Sequence, residues 1–267
     1  MPRSARNSAT GLWPALPAAL VVLGGLGWPL VRLTAAAFAR GSEPSSGLSR
    51  LFSDGYERRA LWHSLVLSLV VAAASIAICL PAAIALARGR FRGRRLLRAI
   101  FAVPLALSGA VVGFLAVAML GNAGALPSLL RAEWLRGGAY GLAGLGLAYL
   151  YFEIPRATLT MEAALAAVDD GLLEAARTLG ASRAQVARLV FVPLCAPALR
   201  AAFGVTFAAS LGSFGVALII AGRFALLPVE LYRAFTGTLD EPLAAAMALT
   251  LGLVAIAVLW MSGRSRA

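Results

Sequence analysis

Long apolar runs without charged residues constrain the fold of this chain more than any other feature. The run from Leu61 to Ala87 contains no Asp, Glu, Lys or Arg, and about 20 apolar residues in a helix are enough to cross the hydrocarbon core of a bilayer. Of the 267 residues, 60% are hydrophobic and only 13% are charged, against about 25% charged in a typical soluble domain. The sequence therefore predicts an all-α membrane protein.

We predict about six transmembrane helices joined by short loops. The predicted spans are residues 7–31, 61–87, 99–120, 139–153, 197–221 and 243–261. The first apolar run is longer than the core of a signal peptide, which has about 7–15 residues, so we interpret it as a retained span. Residues 40–60 are mixed in charge and rich in Ser and Gly, which indicates an external loop.

These spans suggest three parts of unequal size. Residues 1–60 form an N-terminal span with its external loop, residues 61–262 form the main transmembrane domain, and residues 263–267 form a short tail. All 24 basic residues are Arg, and six of them lie between Arg88 and Arg98. Because short cytoplasmic loops carry an excess of Arg, this cluster predicts that both termini and the polar stretch 169–193 are cytoplasmic. We also expect membrane lipid as a partner, with anionic head groups in contact with the cluster.

Several functional classes are excluded by what the chain lacks. The net charge of +12 does not indicate nucleic-acid binding, because the Arg residues lie at the ends of apolar runs. There is no Lys, and a Walker A phosphate loop requires one, as does Schiff-base chemistry. Ser210 and Ser213 do not indicate a serine protease, because His63 is the single histidine and no base accompanies the serines. We expect a protein that is not an enzyme, with no cofactor or metal.

The stretch from Asp169 to Pro193 is a long polar segment between two apolar runs. Asp169 and Asp170 are typical N-cap residues, and negative charge at a helix start is favourable. An amphipathic helix is then predicted, and Gly180 is placed to end it. Its apolar positions are Leu172, Leu173, Ala175, Ala176 and Leu179.

A second short helix is predicted immediately after the glycine. Ser182 and Gln185 have the spacing of a capping box, Val186, Leu189 and Val190 would form an apolar stripe, and Pro193 lies near the predicted end. Two capped helices form a compact unit. From the residues alone, a surface hairpin that merely joins two spans explains this pattern as well as a functional element does.

A resemblance to a known family rests on this same stretch. Glu174, Ala175, Ala176 and Gly180, followed by Val190, Val192 and Pro193, fit the pattern EAA-x3-G-x9-I-x-L-P, with Val at the two usual Ile and Leu positions. The pattern resembles the cytoplasmic loop of permease subunits of binding-protein-dependent ABC importers. The segment Leu211–Gly222 is similar to one found in the polyamine, thiamine, ferric-iron and oxyanion branch, although Ser213 stands where Glu is frequent.

The resemblance implies a function and a set of partners. It implies a permease of the inner membrane that passes a small polar or charged solute and couples its transport to a separate ATPase, through a coupling loop at residues 162–195. It also implies cytoplasmic ATP-binding subunits, a second permease subunit that is identical or paralogous, and an extracytoplasmic solute-binding protein. The ATPase-coupling residues would be Leu172, Leu173, Glu174, Ala175, Ala176, Leu179, Gly180 and Pro193. The alternative is a self-sufficient secondary transporter.

A few polar residues near the predicted spans are candidates for the solute pathway. Ser210, Ser213 and Glu153 are such residues, and an acid within a membrane is a functional candidate by default. The competing interpretation of Glu153 is a structural ion pair with Arg156 at i,i+3 spacing, near the membrane boundary. His63 fits a hydrogen-bonded interfacial side chain. Cys79 and Cys195 fit buried structural thiols.

Overall fold

A computed structural model of the chain describes residues 16–39, 45–133, 136–222 and 224–264, in which regular structure is mainly helical. The helices in these ranges are α1 (Leu16–Phe38), α2 (Gly47–Ser53), α3 (Gly55–Arg88), α4 (Arg94–Ala106), α5 (Gly109–Leu120), α6 (Ala125–Leu130), α7 (Gly141–Ala166), α8 (Asp170–Thr178), α9 (Arg183–Gln185), a π-helical turn (Val186–Phe191), α10 (Val192–Leu211), α11 (Phe214–Ile220), α12 (Leu227–Thr236) and α13 (Glu241–Gly263).

Four helical segments of the described residues are long and apolar enough to cross a membrane. They are Gly55–Arg88, Gly109–Leu130, Arg183–Leu211 and Glu241–Gly263. Helices α1 and α7 are also long, with 23 and 26 residues. The predicted all-α membrane fold is confirmed, whereas the number of six spans stays a prediction. Residues 7–15 of the first predicted span and residues 40–44 lie outside the described ranges.

The centre of the helix bundle is formed by α3, α7 and α10. On one side of this contact Cys79 of α3, Met161 of α7 and Cys195 of α10 are buried together. On another side α11 packs closely against α5. A Cβ atom added to Gly215 of α11 would lie 2.7 Å from the backbone nitrogen of Ala110 in α5, so this approach depends on the absence of a side chain.

The third predicted span is not one continuous helix. It is divided into α4 and α5 at Leu107 and Ser108, both of which have extended backbone. The Ser108 side chain accepts a hydrogen bond from the amide of Val111 at 3.4 Å, so it acts as the N-cap of α5. Pro104, inside α4, has no amide proton to donate. The prediction of a single span over residues 99–120 is therefore wrong in this respect.

The fifth predicted span begins earlier and breaks before its predicted end. A continuous helical segment runs from Arg183 to Leu211. Pro193, which we placed near a helix end, lies inside it. A π-helical turn accommodates this proline: the amide of Val192 bonds to the carbonyl of Ala187, five residues earlier. The helix then stops at Gly212 and Ser213, and α11 follows.

Residues 45–60 are more ordered than the loop that we predicted. Ser46 caps α2, and Asp54 caps α3 by accepting a hydrogen bond from the amide of Tyr56 at 2.8 Å. Leu51 of α2 is fully buried against α12 and α13. Arg50 forms an ion pair with Asp240 at the start of α13. The prediction of an irregular loop is therefore wrong for these residues, because two N-cap residues start helices within it.

Candidate functional site

Helix α8 has well-defined caps at both ends. The Asp169 carboxylate accepts a hydrogen bond from the amide of Gly171 at 2.9 Å. At the other end the amide of Ala181 bonds to the carbonyl of Ala176, and the amide of Gly180 bonds to the carbonyl of Arg177. These two bonds form a Schellman motif, in which the residue after the C-cap adopts a left-handed conformation. Gly180 has a φ of +86°, so the helix end that we predicted at this glycine is confirmed.

The apolar positions of α8 do not share one environment. Leu173 is buried, whereas Leu172 is 50% exposed and Leu179 is 88% exposed. Glu174 and Ala175 are also exposed. Leu173 thus faces the rest of the chain, and the other leucines form an apolar surface without a partner among the described residues. Exposed apolar surfaces of this kind mark interaction sites.

The second short helix, α9, begins with the predicted capping box. The amide of Ser182 donates to the side-chain oxygen of Gln185 at 2.8 Å, and the amide of Gln185 donates to the Ser182 hydroxyl at 3.3 Å. The predicted apolar stripe is only partly confirmed. Val186 is buried, but Leu189 is 68% exposed, because the π-helical turn changes the helical period at this point.

One arginine connects both ends of the polar stretch to the membrane helices. Arg88, at the end of α3, donates a hydrogen bond to the carbonyl of Val168 at 3.3 Å. Its guanidinium also lies over the ring of Phe191, 5.0 Å from the ring centroid. Val168 precedes the stretch and Phe191 is near its end. We interpreted the arginines from 88 to 98 as a topological signal and as a contact to lipid head groups, and this positioning contact was missed.

A second contact of the same arginine cluster joins α4 to α7. Arg98 forms an ion pair with Glu162, and Arg94 Nη2 lies 3.7 Å from the same carboxylate. The Glu162 side chain is only 7% exposed. The hydrogen bond from Arg98 to Glu162 raises the pKa of the Arg98 guanidinium. A lone acid at the end of an otherwise apolar region is a sequence signal that Glu162 needs a basic partner, although it does not say which one.

The candidate pathway residues lie on α7 and around the break between α10 and α11. Glu153 is buried, and its Oε2 lies 3.1 Å from Nε of Arg156, so the ion pair predicted from their spacing is present. Ser210 is also buried, and its hydroxyl has no hydrogen-bond partner in the described ranges. Ser213 lies at the break, where its carbonyl accepts a hydrogen bond from the Tyr149 hydroxyl at 2.6 Å. Sequence reasoning did not single out Tyr149 as a partner.

The remaining candidate residues, His63, Cys79 and Cys195, make contacts that stabilise the fold. His63 Nδ1 lies 3.1 Å from the carbonyl oxygen of Ala225, and the imidazole stacks on Phe224 with ring centroids 4.3 Å apart. Cys79 and Cys195 are buried free thiols. The predictions of a hydrogen-bonded histidine and of two buried structural cysteines are confirmed.

Comparison with known sequences identifies a family. The sequence model of the binding-protein-dependent transport system inner membrane component matches residues 77–265. The chain is 34% identical over 199 residues to a probable molybdenum ABC transporter permease protein of Haloferax volcanii, covering 74% of this chain and 71% of that protein. It is 32% identical over 179 residues to the molybdenum transport system permease protein ModB of Escherichia coli, covering 64% and 78%.

A third relative and two solved structures complete the comparison. The sulfate transport system permease protein CysT of Salmonella typhimurium is 37% identical over 140 residues, which are 52% of this chain and 50% of that protein. A bacterial ABC transporter involved in the import of alginate has a TM-score of 0.74 at 19% identity, with 96% of both chains covered. The methionine transporter MetNI in an inward-facing conformation has a TM-score of 0.62 at 18% identity, covering 78% of this chain and 93% of that one.

These two structures show the fold, and the sequence matches show the family. The matched family region contains the C-terminal part of α3, from residue 77, and every later helix of the described residues, including the EAA pattern of α8. A self-sufficient secondary transporter is not favoured. The chain belongs to the inner membrane components of binding-protein-dependent transport systems, and it is a multi-pass permease subunit of an ABC importer, not an enzyme.

Proposed function

We propose that α8 and the following turn are the element through which a separate cytoplasmic ATPase drives this permease. The observation that carries the proposal is the exposed apolar surface of α8, with Leu172 and Leu179 half or more exposed on a helix that is capped at both ends. A short rigid helix with unpartnered leucines fits an apolar cleft on another protein. Glu174, Ala175 and Ala176 belong to this surface, while Leu173 and Gly180 maintain its shape and Pro193 lies in the connection to α10.

Motion of α8 would reach the membrane through its two neighbouring helices. The π-helical turn joins the stretch directly to α10, and Arg88 attaches it to α3 at Val168 and Phe191. When two ATPase subunits close on ATP, α8 would move with them, and α3 and α10 would follow as a packed unit. Packed helices move as discrete bodies rather than deforming continuously, so this coupling would switch the permease between inward- and outward-facing states.

The proposed transporter contains further subunits. One permease chain would supply half of the pathway, so a second permease subunit, identical or paralogous, would complete it. A solute-binding protein would deliver the solute from outside; the related alginate transporter has been solved in complex with a pentasaccharide-bound periplasmic protein. In the proposed orientation the termini, the coupling loop 162–195 and the arginines from 88 to 98 are cytoplasmic. The transmembrane domain would be residues 61–262.

The solute is proposed to be small and polar or charged. The relatives are named for molybdenum, sulfate and thiamine transport, which makes molybdate, sulfate and thiamine the first compounds to test. Solute specificity would lie largely in the separate binding protein. The segment that Leu211–Gly222 resembles often has Glu at the position of Ser213. This replacement gives no reason to prefer molybdate, sulfate or thiamine.

Co-purification tests the proposed docking role. Leu179→Asp places a charge on a side chain that is 88% exposed, so it should not disturb the fold, but it would bury an unpaired carboxylate in the ATPase interface. We expect the bound ATPase to be lost in mild detergent while the amount of permease in the membrane stays the same. The matched control is Leu239→Asp, because Leu239, between α12 and α13, is 79% exposed and lies outside the candidate spans. Full ATPase retention by the Leu179 variant would refute the docking role.

A further inference from the structure

The residues at the two ends of α13 indicate where this candidate span crosses the membrane. The helix begins at Glu241, and near its other end the Arg264 guanidinium lies over the Trp260 ring, 3.6 Å from the ring centroid. Tryptophan and arginine are typical of the boundary between hydrocarbon and water. The helix rises about 29 Å between Glu241 and Trp260, close to the hydrocarbon thickness of about 30 Å. Glu241 therefore lies at the other surface of the membrane.

An arginine of α1 faces the same end of α13. Arg32 and Glu241 both line a cavity of about 300 Å³ between the two helices. The other lining residues carry no charge, namely Ala35, Ala36, Ala39 and Pro242. Arg32 and Glu241 are exposed, and neither makes a hydrogen bond or an ion pair within the described ranges. Two opposite charges therefore border one space without pairing with each other.

The acid next to Glu241 has partners of its own. Asp240 forms an ion pair with Arg50, and its carboxylate accepts a hydrogen bond from the amide of Leu243 at 3.2 Å. Glu241 makes no such contact with the described part of the chain. A carboxylate beside hydrocarbon is unfavourable unless a cation or water accompanies it. Glu241 is thus available to a ligand, whereas Asp240 is not.

A second cavity extends from the charged one toward the hydrocarbon core. It measures about 290 Å³, and Arg32 and Glu241 are also in its wall. The remaining lining residues are all apolar: Pro29, Leu33, Ala36, Leu231, Phe235, Ala244, Ala245 and Ala248. Ala248 lies about 10 Å further along α13 than Glu241. The site therefore combines a charged end at the membrane surface with an apolar end at greater depth.

The surroundings of the two cavities are suited to lipid. Phe235, which lines the apolar cavity, and Phe38, at the end of α1, are both largely exposed. Contact of apolar walls with water is unfavourable, so an acyl chain is a better occupant of the apolar cavity than water is. The charged cavity above it is the place where the headgroup of the same lipid would lie.

We infer that these two cavities form a binding site for a phospholipid whose headgroup carries both a phosphate and a primary amine. Arg32 would donate hydrogen bonds to the phosphate oxygens, because a guanidinium fork matches their geometry. The ammonium group of the headgroup would donate to the Glu241 carboxylate. This site is distinct from the arginine cluster of residues 88–98, and it does not rest on the proposed coupling role.

The two charged residues predict which headgroups bind less well. A headgroup with phosphate but no amine would be repelled by Glu241. A quaternary amine keeps the positive charge but has no N–H group to donate to the carboxylate. The charges of the site thus match phosphatidylethanolamine better than phosphatidylglycerol or phosphatidylcholine.

Lipid titration of the detergent-purified chain tests the inference. The three phospholipids, with identical acyl chains, are added one at a time, and the rise of the thermal midpoint above the lipid-free sample gives an apparent affinity. We expect the affinity for phosphatidylethanolamine to exceed that for each of the other two by about three- to tenfold, the range for a partly exposed charge pair. Equal affinities for the three lipids would overturn the inference.

Two variants separate the parts of the headgroup. Glu241→Gln should reduce the affinity for phosphatidylethanolamine to that for phosphatidylcholine, and Arg32→Gln should weaken the binding of all three lipids. A merely structural role of either residue would lower the midpoint equally with and without lipid and would leave the preference intact. Glu133→Gln and Arg136→Gln are the matched controls, because this exposed ion pair belongs to neither α1 nor α13. A preference that survives in Glu241→Gln would contradict the site.

The assembled transporter distinguishes lipid from a protein partner. The same titration is repeated on the chain bound to its partner subunits, and we expect the same preference for phosphatidylethanolamine. Loss of the preference on assembly would show that another subunit covers the cavities, and it would also overturn the inference.

Discussion

Arg88, the last residue of α3, donates a hydrogen bond from Nη2 to the carbonyl oxygen of Val168, at a distance of 3.3 Å. Val168 lies two residues after the end of α7, directly before the cap of α8. The same guanidinium covers Phe191 at the other end of the polar stretch. One side chain therefore attaches both ends of the proposed coupling element to a membrane helix.

Removing this attachment should weaken coupling more than assembly. Arg88→Gln loses a charged hydrogen bond worth about 1.5–3 kcal/mol when desolvated, and less at this half-buried site. We expect fewer solute molecules to be imported for each ATP hydrolysed, with the ATPase still bound. The control is Arg92→Gln, because Arg92 belongs to the same cluster and is exposed. An unchanged ratio of transport to hydrolysis in the Arg88 variant would show that the attachment plays no part in coupling.

Gly180→Val should impair transport through backbone strain alone. An added Cβ atom would meet nothing within 4 Å, but the φ of +86° is unfavourable for a side chain. Strain of this kind costs about 1–3 kcal/mol. We expect less bound ATPase and slower uptake at normal membrane levels, with partial rescue by Gly180→Asn, since Asn tolerates the left-handed region.

Gly252→Val in α13 is the control for this strain. Gly252 also has open space around it but has no positive φ. If the valines at positions 180 and 252 have equal effects, then the left-handed turn is not what α8 requires.

The Glu162 pair should stabilise the contact between α4 and α7. Glu162→Gln leaves Arg98 and Arg94 without their acidic partner, and we expect a modest loss of stability, because Arg98 is half exposed and solvent screens the pair. The thermal midpoint of the detergent-purified chain, measured by fluorescence-detected gel filtration, should fall by several degrees. Glu133→Gln, which removes a largely exposed acid, should leave the midpoint unchanged; equal midpoints for both variants would argue against a stabilising role for the Glu162 pair.

The orientation can be measured by cysteine labelling. Single cysteines at Arg94 and Ser182 should be protected from an impermeant external reagent, and those at Ser46 and Arg131 should react, in a background without Cys79 and Cys195. The reason is the arginine excess between residues 88 and 98. Strong external labelling at position 182 would contradict the topology and the coupling role together.

The local features of the polar stretch could be predicted from the sequence. The Asp169 cap, the Ser182–Gln185 box and the Gly180 turn each depend on residues within about four positions, and such interactions are encoded locally. The paths of the broken helices were not predictable in this way. A hydropathy pattern does not show that Ser108 caps α5 or that α10 ends at Gly212, since both residues lie within apolar runs. We placed Pro193 near a helix end, and this was wrong. The π-helical turn before it changes the hydrogen-bond pattern, so that the helix continues without the bond that proline cannot donate.

The contacts around the site depend on residues far apart in the chain. Arg88 and Val168 are separated by 80 positions, and Arg98 and Glu162 by 64. Charge and composition indicated a membrane side for the arginines but could not pair them with particular acceptors. The spacing of Glu153 and Arg156 predicted their ion pair, but the burial of the acid and the partial exposure of the arginine required the packed helices.

Reconstitution of the chain with and without its partners tests the central claim most directly. The claim is that a separate ATPase drives this permease through α8. The purified chain alone, in liposomes, should neither hydrolyse ATP nor accumulate molybdate, sulfate or thiamine under an ion gradient, whereas the complete complex should import solute only when ATP is supplied. Accumulation of solute by the chain alone, driven by an ion gradient without ATP, would contradict the account.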